Sequence, residues 1–141
     1  MWLDSVKTGI KKGLETIWLL SKTIVPVYIL VTVLNHTPVI GWITALFKPL
    51  MRVFNLPGEA AIVLVIGNIL DTYSAVGAIK AMQLTVKEIT TLSIMISISH
   101  SLLVETAVIK KLGFKVSHAL ITRIGLAIIF GIIVGRVGAL I

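Results

Sequence analysis

The chain has 141 residues, of which 57% are hydrophobic and 13% are charged, and its mean hydropathy is +1.04. Soluble domains usually contain about 25% charged residues, so this composition excludes an ordinary soluble domain and indicates a membrane protein. The net charge of +7 would suggest nucleic acid in a soluble protein, but most lysines and arginines here lie at the ends of apolar blocks. Anionic lipid headgroups are therefore the expected partner, and no nucleic acid is expected.

The apolar residues occur in blocks of roughly 17–25 residues, the length of a membrane-spanning helix. They predict an all-α, multi-pass protein of the cell membrane with about four spans in one domain. Residues 1–16 combine leucine and isoleucine with three lysines, which is typical of a helix on the membrane surface. The first span is expected at residues 17–34, kinked at Pro26. Residues 38–54 are interrupted by a lysine, an arginine and a proline, and they predict an interfacial or re-entrant helix, because charges inside the bilayer are costly.

The second span, expected at residues 57–81, contains the polar sequence "GNILD" in its middle. Gly67 can end a helix, and Asn68 or Asp71 can cap a new one. This pattern predicts a broken helix whose halves meet near the bilayer midplane. Such a break is tolerated only where it is buried in protein or lines a wet cavity.

The third span is expected as one continuous helix over residues 86–112, because Thr85 and Glu88 have the spacing of a capping box at its start. The fourth span is expected at residues 118–139. It contains a GxxxG step at 131–135, and small residues at this spacing favour close contact between helices.

One face of the third predicted helix is polar. At 100° per residue, its polar side chains fall within about 140° of one another. They are Thr90, Ser93, Ser97, His100, Ser101 and Glu105. Lipid is a poor environment for such a stripe, and ionisable residues inside a membrane indicate a functional site. The alternative is that His100 and Glu105 only bond to neighbouring helices and hold the bundle together.

The stripe and the break together predict a site for a polar solute or cation, because half-helix ends present partial charges suited to such ligands. The expected site residues are Asn68, Asp71, Ser74, Ser97, His100, Ser101 and Glu105. No metal site is expected, since the chain has no cysteine and one histidine with one glutamate are too few ligands. No cofactor or enzymatic activity is expected either, because no serine lies in a nucleophile motif.

The sequence "LPGEAAIVLVIGN" at 56–68, followed by "HSLLVETAVIKKLG" at 100–113, resembles the nucleoside-recognition, or Gate, family over roughly residues 20–138. That family includes the spore-maturation A and B membrane proteins, the Gate repeats of the bacterial ferrous-iron transporter and a domain of concentrative nucleoside transporters. The resemblance implies a bundle with broken helices that forms half of a pore or solute site. It also adds Glu59, at the start of the broken helix, to the expected site residues.

The sequence therefore predicts a small permease-like or channel-like subunit, a half-transporter, and the alternative is a non-transporting membrane scaffold of the spore-maturation type. The resemblance implies that another subunit supplies the missing half. With four spans, each side of the membrane would carry six positive residues, so the positive-inside rule would favour neither orientation. This balance predicts dual topology and an antiparallel homodimer, with a parallel homodimer or a related partner chain as the next choices.

Overall fold

The computed structural model describes residues 2–137, apart from the side chain of Leu3. Every regular element in this range is a helix. The elements are α1 (Trp2–Asn35), α2 (Pro38–Met51) with a 3-10 turn after it (Arg52–Phe54), α3 (Ala60–Ile69), α4 (Thr72–Lys80), α5 (Val86–Ser99), α6 (Leu102–Lys111) and α7 (Val116–Val137).

Three stretches of the described chain are long and apolar enough to cross a membrane: Asp4–Asn35 in α1, Val86–Lys111 over α5 and α6, and Val116–Val137 in α7. The all-α class of a polytopic membrane protein is thereby confirmed. The final predicted span was placed at residues 118–139, and its last two residues lie outside the described range.

The predicted crossing at residues 57–81 is corrected by the structure, where it forms a helical hairpin. α3 and α4 have 10 and 9 residues, or about 15 and 14 Å at 1.5 Å per residue. Placed end to end, they would hold Glu59 and Ala81 about 30 Å apart, yet these residues line the same cleft. Gly67, expected to end a helix, lies inside α3. A Cβ there would lie 3.1 Å from the Ala75 Cβ, so Gly67 lets the antiparallel helices pack closely.

The hairpin enters the bundle from the end at which α1 finishes, referred to below as the near end. Asn35, the last residue of α1, donates its Nδ2 to the Ala81 carbonyl at 2.9 Å. α5 also starts there, and its predicted capping box is confirmed, with the Thr85 N–H donating to Glu88 Oε2 at 2.7 Å. The far end carries the N-terminus of α1 and the link from α6 to α7.

The predicted separation of a surface helix at 1–16 from a span at 17–34 is not found. α1 runs without interruption from Trp2 to Asn35. Thr16, a residue type that can cap a new helix, instead donates its hydroxyl to the Lys12 carbonyl one turn back. Thr16 therefore does not cap a new helix.

The predicted continuous helix over residues 86–112 is also corrected. The helix stops at Ser99 and restarts at Leu102, near its middle. Ser101 lies between the two parts in the left-handed conformation, with φ +52°. Contacts with the hairpin, which no local sequence pattern reveals, account for this break.

The GxxxG step brings α7 against two other elements. A Cβ on Gly131 would lie 2.6 Å from the Met95 Sδ of α5, and a Cβ on Gly135 would collide with the Phe54 carbonyl of the 3-10 turn. Both glycines are buried. Arg123 contacts Ile98 and Gly131 contacts Met95, so α7 runs back along α5 towards the near end.

Candidate functional site

The tip of the hairpin meets the break between α5 and α6 inside the bundle. The Ser101 N–H donates to the Gly67 carbonyl at 3.1 Å, and the Ser101 hydroxyl donates to the Leu70 carbonyl at 3.2 Å. Carbonyls at a helix end have no partner within their own helix, and Ser101 satisfies two of those near the end of α3. This junction of tip and break contains most of the predicted site residues.

Three charged or ionisable side chains lie beside the break. Glu105 forms an ion pair with Arg123 of α7 through Oε2 and Nη1. The Arg123 Nε also donates to the Ile98 carbonyl in the last turn of α5, at 2.7 Å. Glu105 is in the first turn of α6, where its negative charge complements the positive partial charge of the helix N-terminus. The positive charge of Arg123 complements the negative partial charge at the C-terminus of α5.

His100 completes this cluster. Its Nδ1 lies 3.2 Å from the carbonyl oxygens of both Ile96 and Ser97. Because carbonyls only accept hydrogen bonds, the neutral imidazole carries its proton on Nδ1 and leaves Nε2 as an acceptor. Nε2 lies 3.9 Å from Glu105 Oε1, which is beyond hydrogen-bond distance. In the neutral form of His100, two acceptors therefore face each other across a gap that suits a hydrogen-bond donor or a cation.

Asn68 lies on the other side of the junction. Its Nδ2 donates to the Leu64 carbonyl at 2.7 Å, whereas its Oδ1 is buried and has no hydrogen-bond partner among the described residues. The side chain borders a groove of about 320 Å³ between the hairpin, the α5–α6 region and α7. Apart from Asn68 and Ser99, the groove is lined by apolar residues. Leaving a buried acceptor unpaired is unfavourable, so Asn68 Oδ1 would be stabilised by any N–H or O–H donor that reaches it.

The remaining predicted residues divide between the junction and other places. Asp71 is the N-cap of α4 and accepts from the Ser74 N–H at 2.8 Å, which confirms its predicted capping role. Ser74 is buried beside it. Ser97 is exposed and donates to the carbonyl of Ser93. Glu59 is half-buried at the near end, about 13 Å along α3 from Asn68, so the structure does not bring it to the junction.

Arg123 was not predicted as a site residue. Only 24% of its side chain is exposed. The feature that could have identified Arg123 as a site residue is its position, seven residues after the start of α7, or roughly 10 Å along the helix. A charge that deep in a span needs a partner, and Glu105 is a carboxylate on the neighbouring predicted span.

No group of three or more histidine, aspartate or glutamate side chains that could hold a metal ion occurs among residues 2–137. The junction instead combines one ion pair, one imidazole, one unpaired amide oxygen and the ends of four short helices. Such a set of groups has the chemistry to bind a polar ligand through hydrogen bonds and charge.

Comparison with known proteins identifies a family and a related protein. The family model described as nucleoside recognition (Gate) matches residues 17–115. The uncharacterised membrane protein YvoD of Bacillus subtilis (strain 168) is 43% identical over 129 residues, which are 92% of this chain and 41% of that protein. The chain therefore spans less than half the length of this relative. No solved structure matches the chain.

Proposed function

Because the chain belongs to the Gate, or nucleoside-recognition, family of membrane proteins, we propose that it is a transport subunit that binds a polar solute or cation at the junction. The observation that carries this proposal is the Glu105–Arg123 ion pair at the α5–α6 break. Charged side chains at this depth are costly, and those in membrane proteins commonly mark solute or ion pathways.

The helix ends at the junction support the same function. α4 and α6 direct their N-termini to the junction, whereas α3 and α5 direct their C-termini there. N-termini favour anionic groups and C-termini favour cationic groups. Transporters with discontinuous helices use such ends to bind substrates and coupling ions. In this arrangement α5 and α6 form a broken span, and the hairpin is a re-entrant element.

The acceptors described above narrow the class of ligand. Asn68 Oδ1 is unpaired, and His100 Nε2 faces the Glu105 carboxylate without a hydrogen bond. Both would be satisfied by N–H or O–H donors. A neutral polar solute with such donors, or a cation, therefore fits the junction better than an anion.

We further propose that the chain contributes half of a pathway across the cell membrane. Three spans and one hairpin leave the groove beside α7 open, so a second copy or a related chain would cover it. A permeation pathway between repeats of opposite orientation is the arrangement found in many transporters, and an antiparallel homodimer would supply it.

A non-transporting scaffold is the second candidate, and one observation favours it. Glu105 and Arg123 are already paired within the chain, and the Ser101 N–H and hydroxyl are bonded to the hairpin. A cluster satisfied in this way can serve packing alone.

Accessibility of the junction to water separates the two functions. The chain has no cysteine, so Ser101→Cys and Asn68→Cys can be treated in proteoliposomes with a membrane-impermeant methanethiosulfonate reagent. Ile129→Cys, on the exposed outer face of α7, is the control for a lipid-facing position. A transport subunit should be modified at Ser101→Cys or Asn68→Cys but not at Ile129→Cys, whereas full protection at both junction positions would contradict the proposal.

Function and folding can also be separated at the charged cluster. If the cluster contacts solute, His100→Ala and Glu105→Gln should abolish flux of the transported solute while the protein still purifies as a folded species. The solute can be sought by challenging proteoliposomes with nucleosides, divalent metals and protons. Loss of the fold with no separable loss of flux would favour the scaffold.

A further inference from the structure

A second polar cleft lies at the near end, outside the junction. It has a volume of about 470 Å³. Its walls come from the end of α1, the start of α2, the start of α3 and the link between α4 and α5, and its polar lining residues are Thr32, Asn35, His36, Glu59 and Gln83. A cleft of this size is in the range of small-molecule sites, about 300–1,000 Å³.

Three of these side chains already donate one hydrogen bond each to a backbone carbonyl. Thr32 donates its hydroxyl to the Tyr28 carbonyl at 2.7 Å, and Asn35 donates Nδ2 to the Ala81 carbonyl at 2.9 Å. His36 Nδ1 lies 2.8 Å from the Thr32 carbonyl, so the neutral ring carries its proton there. These bonds leave Thr32 Oγ, Asn35 Oδ1 and His36 Nε2 as acceptors.

Glu59 adds a negative charge to these acceptors. It is the N-cap of α3, yet its side chain makes no capping hydrogen bond. No ion pair joins it to a lysine or arginine of the described chain, although that chain is strongly basic. A half-buried carboxylate without a partner beside several acceptors attracts a cation that donates hydrogen bonds.

We propose that the near-end cleft binds a primary ammonium group. An ammonium has three N–H donors and one positive charge, which match the Glu59 carboxylate and the neutral acceptors around it. A quaternary ammonium lacks N–H groups and would leave those acceptors unsatisfied. A bare divalent metal is disfavoured because residues 2–137 hold no group of three or more histidine, aspartate or glutamate side chains.

A primary ammonium could come from a free amine or from the headgroup of phosphatidylethanolamine. The cleft lies at an end of the bundle, where headgroups are within reach, so the same recognition chemistry applies to both sources. This proposal does not depend on transport through the junction, and its test requires no flux measurement.

The test uses the full chain purified in a maltoside detergent. Isothermal titration calorimetry at fixed ionic strength would compare ethanolamine, choline and magnesium chloride. Ethanolamine should bind, and choline should bind at least tenfold more weakly. Equal binding of choline, or displacement of ethanolamine by magnesium, would overturn recognition of N–H donors.

The lipid arm uses nanodiscs of phosphatidylglycerol with and without phosphatidylethanolamine, followed by native mass spectrometry of retained lipid. Retention of phosphatidylethanolamine identifies the headgroup as a source, and binding of ethanolamine without such retention identifies a free amine. Absence of both would overturn the proposal.

Two variants connect binding to the cleft. Glu59→Gln removes the charge at nearly constant size and should weaken ethanolamine binding at least tenfold, whereas Glu15→Gln makes the same change at an exposed position of α1 and should leave it unchanged. If Glu59→Gln does not fold, Gln83→Lys changes an exposed side chain of the cleft and should abolish binding by repulsion. Unchanged binding in the folded variants would contradict the assignment.

Discussion

Replacing Arg123 by glutamine should destabilise the protein far more than the same change elsewhere on α7. The substitution removes the charge that pairs with Glu105 and the donor that bonds to the Ile98 carbonyl. Glutamine is uncharged and shorter than arginine, so it cannot replace both contacts. The carboxylate and the carbonyl would then both be left without their partners beside the break.

The expected magnitude follows from the exposure of the pair. Breaking a fully buried ion pair costs about 3–5 kcal/mol, whereas exposed pairs are worth less than about 1 kcal/mol. The two side chains are 24% and 35% exposed, so an intermediate cost of about 2 kcal/mol is expected. The unpaired Ile98 carbonyl adds about 1 kcal/mol. The total of about 3 kcal/mol corresponds to a fall in Tm of roughly 10 °C for a chain of this length.

The assay is thermal unfolding in detergent, followed by size-exclusion chromatography of the heated protein. Arg136→Gln is the matched control, because Arg136 is an exposed arginine in the last turn of the same helix. Adding Glu105→Gln to Arg123→Gln should cost less than the sum of the two single changes by about 1–2 kcal/mol. Additive effects, or an Arg123→Gln variant as stable as Arg136→Gln, would refute the ion pair as a contributor to stability.

Two further predictions concern α7 and orientation. Gly135→Ala should lower the stability by about 1–3 kcal/mol, because the new methyl group meets the Phe54 backbone. Gly125→Ala, where a Cβ meets nothing within 4 Å, should instead raise it by up to about 1 kcal/mol. Thermal unfolding of both variants checks this prediction, and equal effects would contradict the close contact. With three spans, the far end carries Lys7, Lys11, Lys12, Lys110, Lys111 and Lys115, and the near end carries Lys48, Arg52, Lys80, Lys87 and Arg136. This near balance again predicts dual topology. An N-terminal tag should therefore be accessible from the outside in one population of molecules and from the inside in another. A tag found wholly on one side would contradict the prediction.

Local signals were sufficient to predict the helical class and the starts of some helices, but not all of the helix bounds. Hydropathy identified the apolar blocks, and the Thr85–Glu88 capping box and the Asp71 N-cap were identified because a cap depends on residues three or four positions apart. The path of α3 and α4 was not predicted. A straight crossing and a hairpin have the same local pattern, and the difference depends on Gly67 packing against Ala75.

The site was predicted only in part for a similar physical reason. An ionisable residue in an apolar block is visible in the sequence, so His100 and Glu105 were recognised. Arg123, which pairs with Glu105, lies 18 positions after it on another helix. The break at Ser101 was missed because a left-handed serine is unfavourable on its own. It is stabilised here by carbonyls of Gly67 and Leu70, more than 30 positions earlier in the chain.

The hairpin connects the two polar regions of the molecule. Its tip accepts both hydrogen bonds from Ser101, and its base carries Glu59 and Ala81 at the near-end cleft. Ser101 in turn lies at the start of α6, one turn before Glu105. Because α3 and α4 are short and packed against each other, a displacement of the hairpin as one body would change the geometry at both ends. If ligands bind at both sites as proposed and each favours one position of the hairpin, each ligand would change the affinity of the other site by the same factor, since coupling between two sites is reciprocal.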